Sequence, residues 1–263
     1  MKLISLNTWG GRVLDPLLKF VEEQNNNIDI FCFQEMFKSD RDILRNKIRT
    51  NTYSNFQKIL TDYNSYFAPM FEGHDNTQNV DFELFFGQAI FVKKTIKVFA
   101  EGNVFIYGKY GHEKTAPTLN YPGFEGWLDY PRSMHYVIIE NGGKKRLICN
   151  LHGYWIPESK EDTPERLAQS DKILEFLKDY DCGKIVCGDF NLNPDTESIK
   201  KLEINGLTNL IKKYAITNTR SNLHVRKDKF ADYIFTSDDI RVKDFRVIHT
   251  DVSDHLPLLL DFI

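Results

Sequence analysis

Lys184-Ile185-Val186-Cys187-Gly188-Asp189-Phe190-Asn191 is the stretch on which the fold turns. Its apolar centre reads as a buried strand. Its end is polar: a glycine, a carboxylate and an amide around one phenylalanine. Other segments share this design. KLISLN (2–7) ends on Asn7, IDIFCFQE (28–35) on Gln34-Glu35, and RLICNLH (146–152) on His152. Asp232 opens the run DYIF, and Ser253-Asp254-His255 stands just ahead of LPLLLDFI (256–263). Carboxylates, amides and histidines at strand ends are costly to bury without partners. A divalent metal and a phosphate would partner all of them.

Working outward, residues 15–25 read as a helix with Pro16 at its first position behind Asp15. Residues 39–61, with a break near Thr50-Asn51, and 195–203 also read as helical. So does 164–180, with Thr163 suited to the N-cap and Pro164 to the first position. Strands are expected at 63–70, 87–94, 96–106, 230–237, 240–248 and 256–263. Residues 134–153 form a hairpin turned at Asn141-Gly142-Gly143. Two connections, 71–86 and 107–132, are long enough to serve as functional loops. Helices and strands alternate without a strict βαβ cycle. Two packed sheets with helices outside, in one domain over residues 1–263, satisfy that pattern.

The chain has 263 residues, 41% hydrophobic and 27% charged, with a formal net charge of -3. That balance lacks the basic excess of a general duplex-DNA binder. Cys32, Cys149 and Cys187 lie inside apolar runs, where cysteine acts as a small hydrophobe. Without a CxxC pair among these and Cys182, a zinc site is disfavoured. The N-terminus turns polar at Asn7, before any signal-peptide core, and no run is long enough for a membrane span. A cytoplasmic monomer is the expectation.

Each candidate residue has two readings. Glu35 is a strand terminus or a ligand for a hard cation. Asn7 caps a turn or holds a metal or phosphate oxygen. Asp189 and Asn191, two apart, either form a turn or face one reacting centre with Phe190 packed behind. His255 is structural, or it is an active imidazole held by Asp232.

Taken in order, Asn7, Gln34-Glu35, His152, Gly188-Asp189-Phe190-Asn191, Asp232 and Ser253-Asp254-His255 resemble the endonuclease/exonuclease/phosphatase superfamily over nearly the whole chain. That resemblance implies a four-layer α/β sandwich hydrolysing a phosphate ester with Mg²⁺ or Mn²⁺. Glu35 would be the main metal ligand, with Asn7 and Asp254 beside it. Asp189 would orient or deprotonate the attacking water, and Asn191 would position that water or a phosphate oxygen. His255, held by Asp232, would bind or protonate the phosphate, and His152 would stabilise the transition state.

Arg132 is a candidate phosphate contact or a solvated loop residue, Arg220 with Arg226, Lys227 and Lys229 a candidate substrate-facing basic edge, and Tyr154, Trp155 and Trp127 candidate stacking platforms. Arg166 and Gln169 share one helical face and either support the site or decorate the surface. The expected substrate is a phosphodiester in nucleic acid or a nucleotide-like molecule. A small-molecule or lipid-headgroup ester is the alternative, the latter with Phe82, Phe85 and Phe86 as an apolar lip. A silent binding protein on the same fold is the remote third reading.

Overall fold

The computed structural model describes residues 1–114, 119–121, 124–127, 129–157 and 159–263. In chain order the main strands are β1 (Lys2–Asn7), β2 (Ile30–Lys38), β3 (Tyr63–Glu72), β4 (Phe85–Lys93), β5 (Lys97–Tyr107), β6 (Arg132–Asn141), β7 (Lys144–His152), β8 (Gly183–Asp189), β9 (Leu207–Asn209), β10 (Asp232–Ser237), β11 (Val242–Val247) and β12 (Leu258–Phe262). They form two six-stranded sheets, ordered β11-β12-β1-β2-β4-β3 and β9-β10-β8-β7-β6-β5.

Each sheet has one parallel pair at its centre, β1 with β2 and β7 with β8, between antiparallel flanks. Strands covered on both faces read as continuous apolar runs, which is why these four lack a polar face. On β1, Leu3 enters the core between the sheets. Ile4 and Leu6 face outward against Leu17, Phe20 and Val21 of α1 (Leu14–Gln24) and Phe56 of α2 (Thr52–Ile59). α3 (Pro164–Lys178), α4 (Glu197–Ile204) and the short α5 (Leu210–Lys213) pack against the second sheet. The result is the four-layer α/β/β/α sandwich. Among the described residues, no helix is long and apolar enough to cross a membrane.

The two-residue period that sends Leu3 inward also sends Ser5 and Asn7 inward. The same alternation turns Gln34 into the space between the sheets. There Gln34 Nε2 donates to Asn150 Oδ1 at 2.6 Å, and Asn150 Nδ2 donates to the carbonyls of Phe33 at 3.0 Å and Ala89 at 3.2 Å. This buried amide pair ties the sheets together one layer beneath the rim where the candidate residues meet.

Gly188 shows how tightly the central strands are set. Its φ is 133°, and a Cβ there would lie 2.0 Å from the Leu151 carbonyl oxygen of β7. Gly188→Ala should cost about 3 kcal/mol of stability. Urea unfolding checks this; a midpoint unchanged from wild type would contradict it.

Residues 39–61 break at Thr50-Asn51 as expected but depart from expectation before it. Only Thr52–Ile59 is helical, and Leu44–Arg45 pairs with Ile48–Arg49 in a small hairpin. Thr50 Oγ1 accepts from Ile43 N–H at 3.0 Å and Thr52 Oγ1 from Phe37 N–H at 2.9 Å. Hydroxyls that capture backbone N–H groups compete with helix. The lipid-lip reading is also corrected. Phe86 is buried with Phe37, Met70 and Phe71, and Phe82 packs against the same cluster. Within 107–132, Leu119–Tyr121 pairs with Phe124–Trp127, and the Trp127 side chain lies outside the described residues.

Candidate active site

The site lies at the carboxyl ends of the two parallel pairs, where α/β sheets collect their ligands. Register places Asn7 opposite Gln34 and His152 opposite Asp189, with Asp189 opposite Asp232 on the other side. Face-to-face packing then brings the rim of one sheet against the rim of the other.

Glu35 occupies a bulge in β2, between the pairs Phe33–Ala89 and Met36–Gly87, with φ 55°. Thr8 Oγ1 pins the bulge by donating to the carbonyls of Gln34 at 2.9 Å and Glu35 at 3.0 Å. Left-handed backbone at a residue with a Cβ costs about 1–2 kcal/mol. Bulges recur beside active sites because they re-aim a side chain. Asn191 is also left-handed, at φ 58°, and its N–H donates to Asp189 Oδ1 at 2.9 Å. The turn and the converging pair are therefore one structure. Phe190 is packed behind them on Tyr233 and Phe235.

Asn7 joins the two halves. Its Nδ2 donates to Glu35 Oε1 and to Asp189 Oδ2, each at 3.0 Å, while its Oδ1 accepts from Trp9 N–H at 2.9 Å. Asn7 thus meets the carboxylates as a donor. Ligation through oxygen would require the amide to turn. His152 Nε2 lies 3.7 Å from Glu35 Oε1 and 3.8 Å from Asp189 Oδ2. One ligand atom from each of Glu35, His152 and Asp189 falls within 4.8 Å of the others.

On the second side, Asp232 accepts from His255 Nδ1 at 2.8 Å, and His255 Nε2 is 3.7 Å from Asp189. Arg220 Nη1 donates to His255 Nε2, so in this state the ring carries its hydrogen on Nδ1. Asp254 Oδ1 is 3.8 Å from His255 Nε2. That oxygen is buried and has no hydrogen-bond partner among the described residues.

The electrostatics divide the carboxylates. Burial pushes Asp189 up, but His255 in its protonated form, Lys160 and Arg220 outweigh it and hold the group well below the usual carboxylate range. Burial raises Glu35, its Asn7 hydrogen bond opposes this, and the Asp254 charge raises it further. Burial and then the Arg132 charge press His152 well below its ordinary value, so it is a neutral imidazole.

Arg132 and Arg220 line the same cavity, of about 400 Å³. Arg132 Nη1 is 3.4 Å from both ring nitrogens of His152. Trp155 lines this cavity too, with Arg226 stacked over its indole at 5.5 Å. Tyr154 is not on the wall. It is buried against Tyr107, with ring centroids 4.4 Å apart.

Arg166 and Gln169 are fully buried, which corrects the surface reading. Gln169 Oε1 accepts from Tyr154 N–H at 2.7 Å. Lys160, Trp9, His224 and Asp228 also line the cavity without having been singled out. Lys160 lies in the charged run Ser159–Glu165, where only tertiary contacts distinguish it from a solvated lysine. Trp9 had one usable signal, its place two residues beyond Asn7.

The family model described as Endonuclease/Exonuclease/phosphatase family matches residues 4–255. No curated protein matches the sequence. Among solved structures, a mannosyl-6-phosphatase from Bacteroides thetaiotaomicron is similar at TM-score 0.69 and 19% identity, covering 100% of this chain and 99% of that one. A family protein from Leptotrichia buccalis is similar at TM-score 0.71 and 18% identity, covering 100% and 99%. The human Nocturnin catalytic domain, solved with bound sulfate, is similar at TM-score 0.69 and 20% identity, covering 100% and 93%. At these identities the likeness shows a shared fold.

Proposed function

The chain belongs to the endonuclease/exonuclease/phosphatase family, and on that premise we propose that it hydrolyses a phosphate ester of small-molecule or single-nucleotide size with Mg²⁺ or Mn²⁺. The observation that carries this reading is the convergence of Glu35, His152 and Asp189 within 4.8 Å at the rim of the sandwich.

The donor set fits a hard cation. Glu35 is a half-buried carboxylate beside a second one, Asp254, whose Oδ1 has no hydrogen-bond partner among the described residues. Oxygen donors favour Mg²⁺ or Mn²⁺. Glu35 and Asp254 would hold the ion, with Asn7 beside them. When bound, it would polarise a phosphoryl oxygen and offset developing negative charge.

The chain's own groups supply the remainder. Asp189, charged and fixed by Asn7 Nδ2 and Asn191 N–H, orients the attacking water and accepts its proton. Asp232 fixes the His255 tautomer, so Nε2 faces the phosphate position once Arg220 turns to a phosphoryl oxygen. Arg132 and Arg220 are built for the paired contacts that phosphates favour.

The cavity supports the compact substrate. At about 400 Å³ it accommodates one small ligand. Trp9 and Trp155 on its wall suit a sugar or base ring. A nucleic-acid substrate would enter through a strand end.

The test is hydrolysis of p-nitrophenyl phosphate and bis-p-nitrophenyl phosphate, followed by sugar phosphates and nucleotides, with Mg²⁺, Mn²⁺ or EDTA. Metal-dependent release of nitrophenolate or phosphate is expected. No turnover anywhere in that panel would reject the reading in favour of a silent site.

A further inference from the structure

We propose that Lys160 is a catalytic residue, donating to a non-bridging phosphoryl oxygen from the side on which water attacks. This inference rests on the hydrolase reading above.

Lys160 follows β7 in the segment leading to α3 and is only 7% exposed, yet it lines the cavity. Lysines are almost never buried so far without a partner. Its Nζ donates to Asn191 Oδ1, and Asp189 supplies its largest stabilising charge. An ammonium has three donors, and this contact uses one.

The surrounding backbone is held rigidly. Arg166, at 0% exposure, donates Nη2 to the Ser159 carbonyl at 2.9 Å and Nη1 to the Glu161 carbonyl. It also donates Nε to the Tyr154 carbonyl at 3.2 Å. The Lys160 carbonyl itself accepts from Asn193 N–H at 2.8 Å. Three successive carbonyls, 159 to 161, are thus fixed, and Asp162 anchors the segment to Ser198 N–H at 3.0 Å. A salt bridge with the surface would need no such frame. A frame that holds one ammonium in place is what a preorganised phosphate contact requires.

Position decides which oxygen. Lys160 meets Asn191 and neighbours Asp189, the groups that hold the water. In an in-line displacement the leaving oxygen departs from the opposite face. Lys160 therefore reaches a non-bridging oxygen. Burial lowers the ammonium to about 8, against the Asp189 charge that supports it, so it remains charged at neutral pH.

The experiment compares wild type with Lys160→Met and Lys160→Arg in two assays. The first is calorimetric titration with inorganic phosphate, with and without Mg²⁺. The second is kcat and KM for aryl phosphates of graded leaving-group acidity. Lys160→Met should weaken phosphate binding about tenfold and lower kcat about 10²-fold. The kcat loss should be equal across leaving groups, with partial recovery in Lys160→Arg. Lys160→Gln carries the same comparison if the Met variant fails to fold in thermal unfolding.

Phosphate affinity and kcat within threefold of wild type would overturn the proposal. So would a loss that grows with leaving-group pKa, which would place Lys160 at the departing oxygen. If wild type turns over no ester but loses phosphate affinity in Lys160→Met, the hydrolase reading and the catalytic role fall, and only the anion contact survives. If hydrolysis is metal-dependent but Lys160→Met matches wild type, the proposal alone fails.

Discussion

Asp189→Asn should lower kcat about 10³- to 10⁴-fold with the fold retained, at some loss of stability because its amide nitrogen would face the Asn7 Nδ2 donor that now bonds Oδ2. Asparagine keeps the shape of the side chain and an oxygen able to accept the Asn191 N–H, which lies 2.9 Å from Oδ1. What is lost is the negative charge that protonated His255, Lys160 and Arg220 sustain against burial. An amide cannot take a proton from water at neutral pH. The substitution also leaves Lys160 and Arg220 less neutralised, so inorganic phosphate should bind at least as tightly as to wild type. That pairing of a large kcat loss with retained anion affinity is the informative result. Steady-state kinetics with phosphate inhibition measure both. A kcat within tenfold of wild type would remove Asp189 from the chemistry. Collapse of the fold would return it to a turn residue.

Glu35→Gln should raise the Mg²⁺ concentration needed for half-maximal activity by about 10²-fold, and EDTA should abolish wild-type activity. Thermal unfolding gives a second readout. Without metal, wild type holds a half-buried carboxylate, Glu35, beside Asp254 and against desolvation. Removing a poorly compensated buried charge should stabilise the metal-free protein. Adding Mg²⁺ should stabilise wild type by about 2.7 kcal/mol at a hundred times its dissociation constant. The variant should gain far less at the same concentration. An equal gain in both proteins would place the ion elsewhere.

Much of the site was legible because strand chemistry is local. An apolar run covered on both faces must end where its covering ends, and a carboxylate, amide or histidine at its last position marks the rim. Asn7, Glu35, His152 and Asp189 were all found in that way. The helical reading of 39–61 failed ahead of its break at Thr50-Asn51, where Thr50 and Thr52 spend their hydroxyls on backbone N–H groups 7 and 15 residues away. No local window shows such a bond.

Sequence alone determined the layers, the strand ends that carry charge and the family resemblance, since period and polarity are properties of a short segment. Tertiary structure alone decided which ends meet. It turned the Asn7 amide nitrogen toward both carboxylates, aimed Glu35 through a left-handed bulge, buried Tyr154 against Tyr107 and brought Lys160 from a charged run to Asn191. Those outcomes depend on the register of two sheets and on desolvation. Both arise only when residues distant in the chain share one low-dielectric space.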